Sequence, residues 1–488
     1  MTELHYLSAT EALARSAARE LSPVELLDAV IARAEEVEPV VNALCHARFA
    51  EARAEAAESE ARWLGRGGGA PRALEGLPLA IKEEEAVAGQ PWTQGSLLYA
   101  DAVAEHSSTF ARRMVESGAV VHARTTAPEF SCALFTHSRL HGVTRTPWNP
   151  EFGVGGSSGG AGAALAAGTA TLASGSDIGG SIRAPASFNG VVGFKPPYGR
   201  VPVDAPFNLD TYCHCGPLAR TVADTALFQN VVAGPDPADI TTLRPRYELP
   251  PAYDGDLAGT RIALSVDLGS WEVDPEIRAN TLAVGEALRR AGAVVDVVDL
   301  VVPREKVVLA TSIHFLFGFG ALIEAELARA PELATPYAAG FAGAMREIVG
   351  ERTLLDGWVL EAELYAPVGA LLTEYDALVC PTLGTRGFVA GDDYVGHGVE
   401  VDGVEVPFYF DASLTPVFNV MSRLPVLNVP SGFADNGVPT GVQIAGRSYD
   451  DVTVFRIGAA LERVRPWADH RPAIAAAAPA PTAEGVVS

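Results

Sequence analysis

A chain of 488 residues that is 48% hydrophobic, with 48 glycines and 34 prolines, has material for one large domain or two to three ordinary ones, well cored and rich in loops. Its formal net charge of -24 argues against nucleic acid, whose phosphates need basic patches, and against an anionic membrane surface. The five cysteines (Cys45, Cys132, Cys213, Cys215 and Cys380) are odd in number and scattered, which is no disulfide framework.

The opening Met1-Thr2-Glu3-Leu4-His5 has neither the basic nor the apolar stretch of a signal peptide, so a cytoplasmic protein is expected. Residues 8–64 read as helical. Ser22-Pro23-Val24-Glu25 is a capping box with proline at the first helical position, and Leu26, Leu27, Val30 and Ile31 then repeat on one face. A second long helix is expected over 43–64, rich in Ala, Glu and Arg and broken by Gly65-Arg66-Gly67-Gly68-Gly69. Leu77 to Lys82 predicts a short buried strand with the lysine at its end, and Ala119 to Val121 another. Ala161 to Ala173 predicts a helix packed through small residues, and Val191 to Phe194 a strand. Cys213-His214-Cys215 lacks a second ligand pair at usable spacing, so no metal is expected there. Strand Arg261 to Ser265, a helix over 275–291 and strand Ala293 to Leu300 form a β-α-β crossover, which implies parallel pairing. The apolar run Val307 to Ile323 is shorter than the ~20 residues of a membrane span and is interrupted by His314, so a buried helix is expected. Its Phe315, Phe317 and Phe319 belong either to the core or to a pocket for an apolar substrate part. Strands Val426 to Val429 and Gly441 to Ile444 and a helix over 451–463 close a single domain of residues 1–472. The Ala/Pro-rich stretch 473–488 predicts a disordered tail.

Two glycine-flanked serines carry the chemistry. They lie in Gly155-Gly156-Ser157-Ser158-Gly159-Gly160 and in Ser176-Asp177-Ile178-Gly179-Gly180-Ser181-Ile182-Arg183. Glycine lets the backbone approach a ligand closely, so the hydroxyl and the N–H of such a serine can both be presented. Of 36 basic side chains only Lys82, Lys195 and Lys306 are lysine. A lysine kept where arginine otherwise serves is a candidate for losing its proton. G-x-S-x-G around Ser157 also matches a nucleophile elbow, which would need a later histidine such as His470 and leaves the second loop without a purpose. A phosphate loop is disfavoured because no G-K-[ST] follows.

The chain resembles the amidase signature family. The resemblance rests on G-G-S-S-G-G from Gly155, S-D-I-G-G-S-I-R-x-P from Ser176 and G-F-K-P-x-x-G-R from Gly193 to Arg200. It extends to Gly76 to Lys82, Gly216 to Arg220, Leu424 to Gly432, and Gly437 to Ala445. It implies an α/β domain with a mixed, mostly parallel central sheet covered by helices. It also implies an amidase that works through an acyl-enzyme without metal or cofactor. By the same resemblance Ser181 is the nucleophile, Ser157 a proton relay behind a cis peptide bond, and Lys82 the base. Ser158 and Ser176 steady the relay, and the N–H groups of Ile178, Gly179, Gly180 and Ser181 form an oxyanion hole. Asp177 and Arg183 are expected to hold the loop's shape, and Lys195 to be structural. The implied partner is a small-molecule amide, with an apolar acyl part suggested by the 307–323 run; neither nucleic acid nor membrane is expected, and a homodimer is compatible. The family usually has aspartate after the lysine, where this chain has Glu83, Glu84 and Glu85. Two other readings share the fold: the glutaminase-like component of a tRNA-dependent amidotransferase, and a non-catalytic binding protein. Pro128-Glu129-Phe130-Ser131-Cys132, in place of that component's D-E-F-A-M-G, weighs against the first, and the intact Lys82, Ser157 and Ser181 against the second.

Overall fold

Ser22 starts the helix Pro23–Val41 as its sequence predicts. Its hydroxyl accepts the Val24 N–H at 3.0 Å while Glu25 Oε2 accepts the Ser22 N–H at 3.0 Å. The helix stops at Asn42, which takes a left-handed conformation (φ 53°), and Glu38 Oε2 accepts the next two N–H groups, from Ala43 at 2.8 Å and Leu44 at 2.9 Å. The chain therefore leaves the helix, and Leu44–Ala47 is a strand. The helix expected over 43–64 is shorter, Phe49–Trp63.

The computed structural model describes residues 3–474. One eleven-stranded sheet, flanked by helices, runs through it. Its strands in chain order are β1 (Leu44–Ala47), β2 (Pro78–Lys82), β3 (Val120–Thr125), β4 (Leu172–Asp177), β5 (Val192–Lys195), β6 (His214–Ala219), β7 (Arg261–Leu264), β8 (Val294–Val297), β9 (Ala377–Pro381), β10 (Val426–Phe433) and β11 (Pro439–Gly446). Their spatial order is β1-β3-β2-β4-β6-β5-β10-β11-β9-β7-β8. The sheet is mixed, as expected, but not mostly parallel: four junctions are parallel and six antiparallel. The crossover through Pro275–Arg290 does give the parallel pair β7–β8. At the centre β10 and β11 reverse directly through a short connection, whereas the helix Arg183–Asn189 joins β4 to β5, which are not neighbours because β6 pairs antiparallel with both.

The helix expected over 161–173 runs from Gly159 to Ala167 and is buried at every position. Gly168 ends it at φ 80°, and Leu172–Asp177 becomes β4 at the middle of the sheet. The run 307–323 is also divided. It forms the helices Arg304–Phe317 and Phe319–Leu327, separated at Gly318 by a 47° bend. No single described helix is long and apolar enough to cross a membrane. Of the tail expected from 473, only Ala473 and Ile474 fall among the described residues, and Ile474 packs against the small-residue core around the Gly159–Ala167 helix.

Burial raises the Glu38 carboxyl to about 7, against the two N–H donors it accepts. A folded-state value above the ordinary one means stability present below about pH 4.5 and lost as pH rises towards 7. Glu38→Gln keeps an acceptor and removes the charge. Its stability relative to the wild type should therefore improve from pH 5 to pH 8 by on the order of 1–3 kcal/mol. Thermal or urea unfolding at the two pH values checks this, and an equal effect at both would be the opposing result.

Candidate active site

Strands β2 and β4 lie side by side and parallel, with Leu79 opposite Leu172 and Ala80 opposite Ala173. Their C-terminal ends therefore meet, which brings Lys82 to Ser174 and Ser176. The Lys82 side chain is fully buried. Its backbone N–H donates to Ser174 Oγ at 3.0 Å. Its Nζ donates to Ser157 Oγ at 2.8 Å and to Ser176 Oγ at 2.9 Å.

A fourth group, with no role expected from the sequence, completes this cluster. Glu84 Oε2 lies 2.7 Å from Lys82 Nζ and also accepts from the Ser131 hydroxyl. Burial alone would raise this carboxyl, but the Lys82 ammonium and the Ser131 and Ser176 hydroxyls outweigh it and hold Glu84 below its ordinary range. The three successive glutamates thus find three different partners. Glu83 Oε2 lies 3.2 Å from His141 Nε2, Glu84 pairs with the lysine, and Glu85 accepts from Ser108 Oγ at 2.6 Å. Burial and the neighbouring Glu84 push Glu85 up.

The Gly156–Ser157 peptide is cis. A Cβ on Gly156 would stand 2.5 Å from the carbonyl oxygens of Ala133 and Phe135, so no other residue fits there. Ser158 Oγ accepts the Ser176 N–H at 3.3 Å, and the Ser158 N–H donates to the Ser181 carbonyl at 3.1 Å. Lys82, Ser157, Ser158, Ser176 and Ser181 are thereby brought together. No hydrogen bond joins the Ser157 and Ser181 hydroxyls, and Ser181 is 4% exposed.

The loop from Ile178 to Ser181 is shaped by the pair Asp177 and Arg183, both fully buried. Asp177 Oδ1 accepts the Gly180 N–H at 2.9 Å and Oδ2 the Ile182 N–H at 3.2 Å. Arg183 donates to both carboxylate oxygens, at 2.8 and 2.9 Å. Despite burial, Arg183 and Asn419 keep the Asp177 carboxyl far below its ordinary range. The same guanidinium reaches the Thr415 carbonyl, Gln443 Oε1 and Asn419 Oδ1, so the C-terminal half of the chain holds the loop. Gly180 has φ 128°, and a Cβ there would fall on the Thr415 hydroxyl, which donates to the Gly179 carbonyl at 2.6 Å. The Gly180 N–H is turned to Asp177. Among the described residues no protein group accepts from the N–H of Ile178, Gly179 or Ser181.

A cavity of about 360 Å³ opens over this floor. Glu84, Ser157, Ser176 and Ile178 line its base, and Trp92, Tyr99, Phe130, Phe207, Phe319 and Leu322 its walls. No lysine or arginine side chain lines it among the described residues. Of the three phenylalanines considered from the sequence, only Phe319 faces the cavity; Phe315 is core and Phe317 is 50% exposed. Lys195 is buried elsewhere, donating to the carbonyls of Pro196, Ser422 and Leu424. His214 sits between the Tyr212 and Ser422 carbonyls, and burial lowers it to about 3, which fits a structural residue. His470 lines a different cavity, with Trp148 and Phe433, so it cannot serve Ser157 as an elbow histidine.

The family model Amidase matches residues 25–455. An acylamidase of Rhodococcus erythropolis is 34% identical, covering 97% of this chain and 99% of that protein. A glutamyl-tRNA(Gln) amidotransferase subunit of Chloroflexus aurantiacus is 33% identical over the same shares of the two chains. Among solved structures, a bacterial aryl acylamidase of the amidase signature enzymes superposes with a TM-score of 0.86 at 28% identity, covering 95% of this chain and 97% of that one.

Asp177→Asn leaves the Arg183 guanidinium buried beside a neutral partner. The unfolding free energy should fall by about 3–5 kcal/mol, the usual consequence of removing one half of a buried pair. Urea unfolding measures it, and a loss below about 1 kcal/mol would mean that Asn419 and Gln443 suffice to hold the cation.

Proposed function

We propose that Ser181 is the nucleophile, Ser157 the relay and Lys82 the base of this chain, which belongs to the amidase family and is a hydrolase acting on carbon–nitrogen bonds of amides. The observation that carries the assignment is the fully buried lysine whose Nζ donates to Ser157 Oγ at 2.8 Å at the base of the cavity. Ser181 Oγ attacks the amide carbon and forms a C–O bond. Its proton passes to Ser157 Oγ as the Ser157 proton passes to Lys82 Nζ. The carbonyl oxygen becomes an oxyanion, received by the N–H groups of Ile178, Gly179 and Ser181, while Gly180 keeps its donor on Asp177 and so fixes the loop. The C–N bond then breaks, and the amine leaves with the proton returned through Ser157. Water attacks the acyl-enzyme by the same route, releasing the acid and restoring the Ser181 hydroxyl.

The substrate is a neutral amide with an apolar or aromatic part, of the kind the names of the acylamidase relatives imply. The cavity's aromatic and aliphatic lining supports the apolar part, and the lining carboxylates Glu84, Glu85, Asp204 and Glu326, with no lining cation among the described residues, weigh against an anionic one. The amidotransferase alternative draws on the 33% identical relative, but a free amino acid substrate such as glutamine needs a cation for its carboxylate. All five cysteines are free, and the cytoplasm is the compartment we propose.

Treatment with a fluorophosphonate should place the adduct on Ser181, found by peptide mass spectrometry, and the labelled enzyme should lose hydrolysis of neutral aryl amides. Adduct on Ser157 alone, or glutamine hydrolysed faster than every neutral amide, would refute the assignment.

Glu84 sets a second test. Its carboxyl is held below its ordinary range by Lys82 and by the Ser131 and Ser176 hydroxyls, so it contributes stability above its unfolded pKa that is lost as pH falls. Glu84→Gln should therefore cost more stability at pH 7 than at pH 3, measured by thermal or urea unfolding. An equal cost at both would reduce Glu84 to a spacer.

A further inference from the structure

We propose that Cys45, Glu83 and His141 form a binding site for one soft divalent cation of the zinc class, immediately behind the catalytic lysine. The three residues come from strand β1, from the residue after β2, and from the loop before Gly142. Cys45 Sγ, a Glu83 carboxylate oxygen and a His141 ring nitrogen all lie within 4.8 Å of one another. Glu83 follows Lys82 directly, yet its side chain has none of that lysine's partners.

The carboxylate itself points to a missing partner. Glu83 is 2% exposed, and its Oε1 has no hydrogen-bond partner. A buried polar atom left open in this way calls for an explanation. Its other oxygen accepts from Thr93 Oγ1 and lies 3.2 Å from His141 Nε2. Two ligands standing about 2.0–2.1 Å from a tetrahedral ion are separated by roughly 3.3 Å, so the imidazole and carboxylate already have ligand spacing. Cys45 supplies the sulfur that selects a soft ion over calcium or magnesium. Its one side-chain hydrogen bond among the described residues is to the Arg124 carbonyl at 3.5 Å. Thiolate and carboxylate together balance the two charges of the ion, and water completes the fourth position. Cys45 and His141 are partly exposed, which leaves a route in from solvent. A bound ion would tie β1 and the 141 loop to the end of the strand that presents Lys82.

The full-length chain, stripped with chelator, is titrated with Zn²⁺ by calorimetry and with Co²⁺ by absorption. The expected result is one ion per chain with micromolar or tighter affinity and a thiolate-to-cobalt charge-transfer band. Cys45→Ser should abolish the band, and Cys45→Ser and His141→Ala should each weaken binding by about tenfold or more. Should a variant fail to fold, zinc protection of Cys45 from iodoacetamide in the wild-type chain gives the answer by peptide mass spectrometry. No saturable binding, unchanged binding in both variants, or a Cys45 that alkylates equally with and without zinc would overturn the proposal.

Discussion

The Asp177–Arg183 pair is the constraint on which the site's geometry rests. Two fully buried charges are expensive to desolvate, and their attraction offsets that only when the remaining hydrogen-bonding positions are filled. Here they are filled by groups far apart in sequence: Gly180 and Ile182 on one side, Thr415, Asn419 and Gln443 on the other. The pair therefore acts as a clamp between the two halves of the chain. It also sets which loop donors face the protein and which remain for a substrate. Turning the Gly180 N–H inward leaves Ile178, Gly179 and Ser181 as donors without acceptors among the described residues.

Lys82 obeys a different balance. Arginine could occupy a buried position as a fixed cation, as Arg124 and Arg183 do in this chain. A lysine with two hydroxyl neighbours and one carboxylate neighbour can both hold a proton and release it. The hydroxyls serve either state, because they donate or accept. The carboxylate serves only the charged state. In the proposed mechanism Glu84 therefore pairs with the resting cation and opposes the first proton transfer, so one contact would trade stability against reactivity.

Much of this could be read from the sequence. The serine loops, the lysine at the end of a buried strand and the Ser22 capping box are local signals, and the structure places them accordingly. The misses share one cause. Leu172-Ala173-Ser174-Gly175-Ser176-Asp177 contains no β-branched or aromatic residue, yet it is a strand because β2 and β6 pair with it on either side. Leu44–Ala47 looked helical in an Ala/Glu/Arg-rich stretch, and became a strand through the Glu38 carboxylate and the edge of β3. Glu84 was visible as a departure from the family pattern, but its contact with Lys82 depends on a turn that no spacing rule encodes. Thr415 and Asn419 carried no local signal, and Gln443 was marked only as part of the expected strand Gly441 to Ile444.

The end of β2 concentrates these effects in four residues. Lys82 faces the serines, Glu83 the His141–Cys45 cluster, Glu84 the lysine and the cavity, and Glu85 Ser108. Arg124 holds the backbone of this stretch, donating to the carbonyls of Lys82, Glu83 and Glu85. Glu83 and its His141 contact thus lie one backbone turn from Lys82 and Glu84, on a stretch whose carbonyls are held by one buried guanidinium. In this chain the proposed base and the cluster beside it are therefore presented by adjacent residues of one strand end.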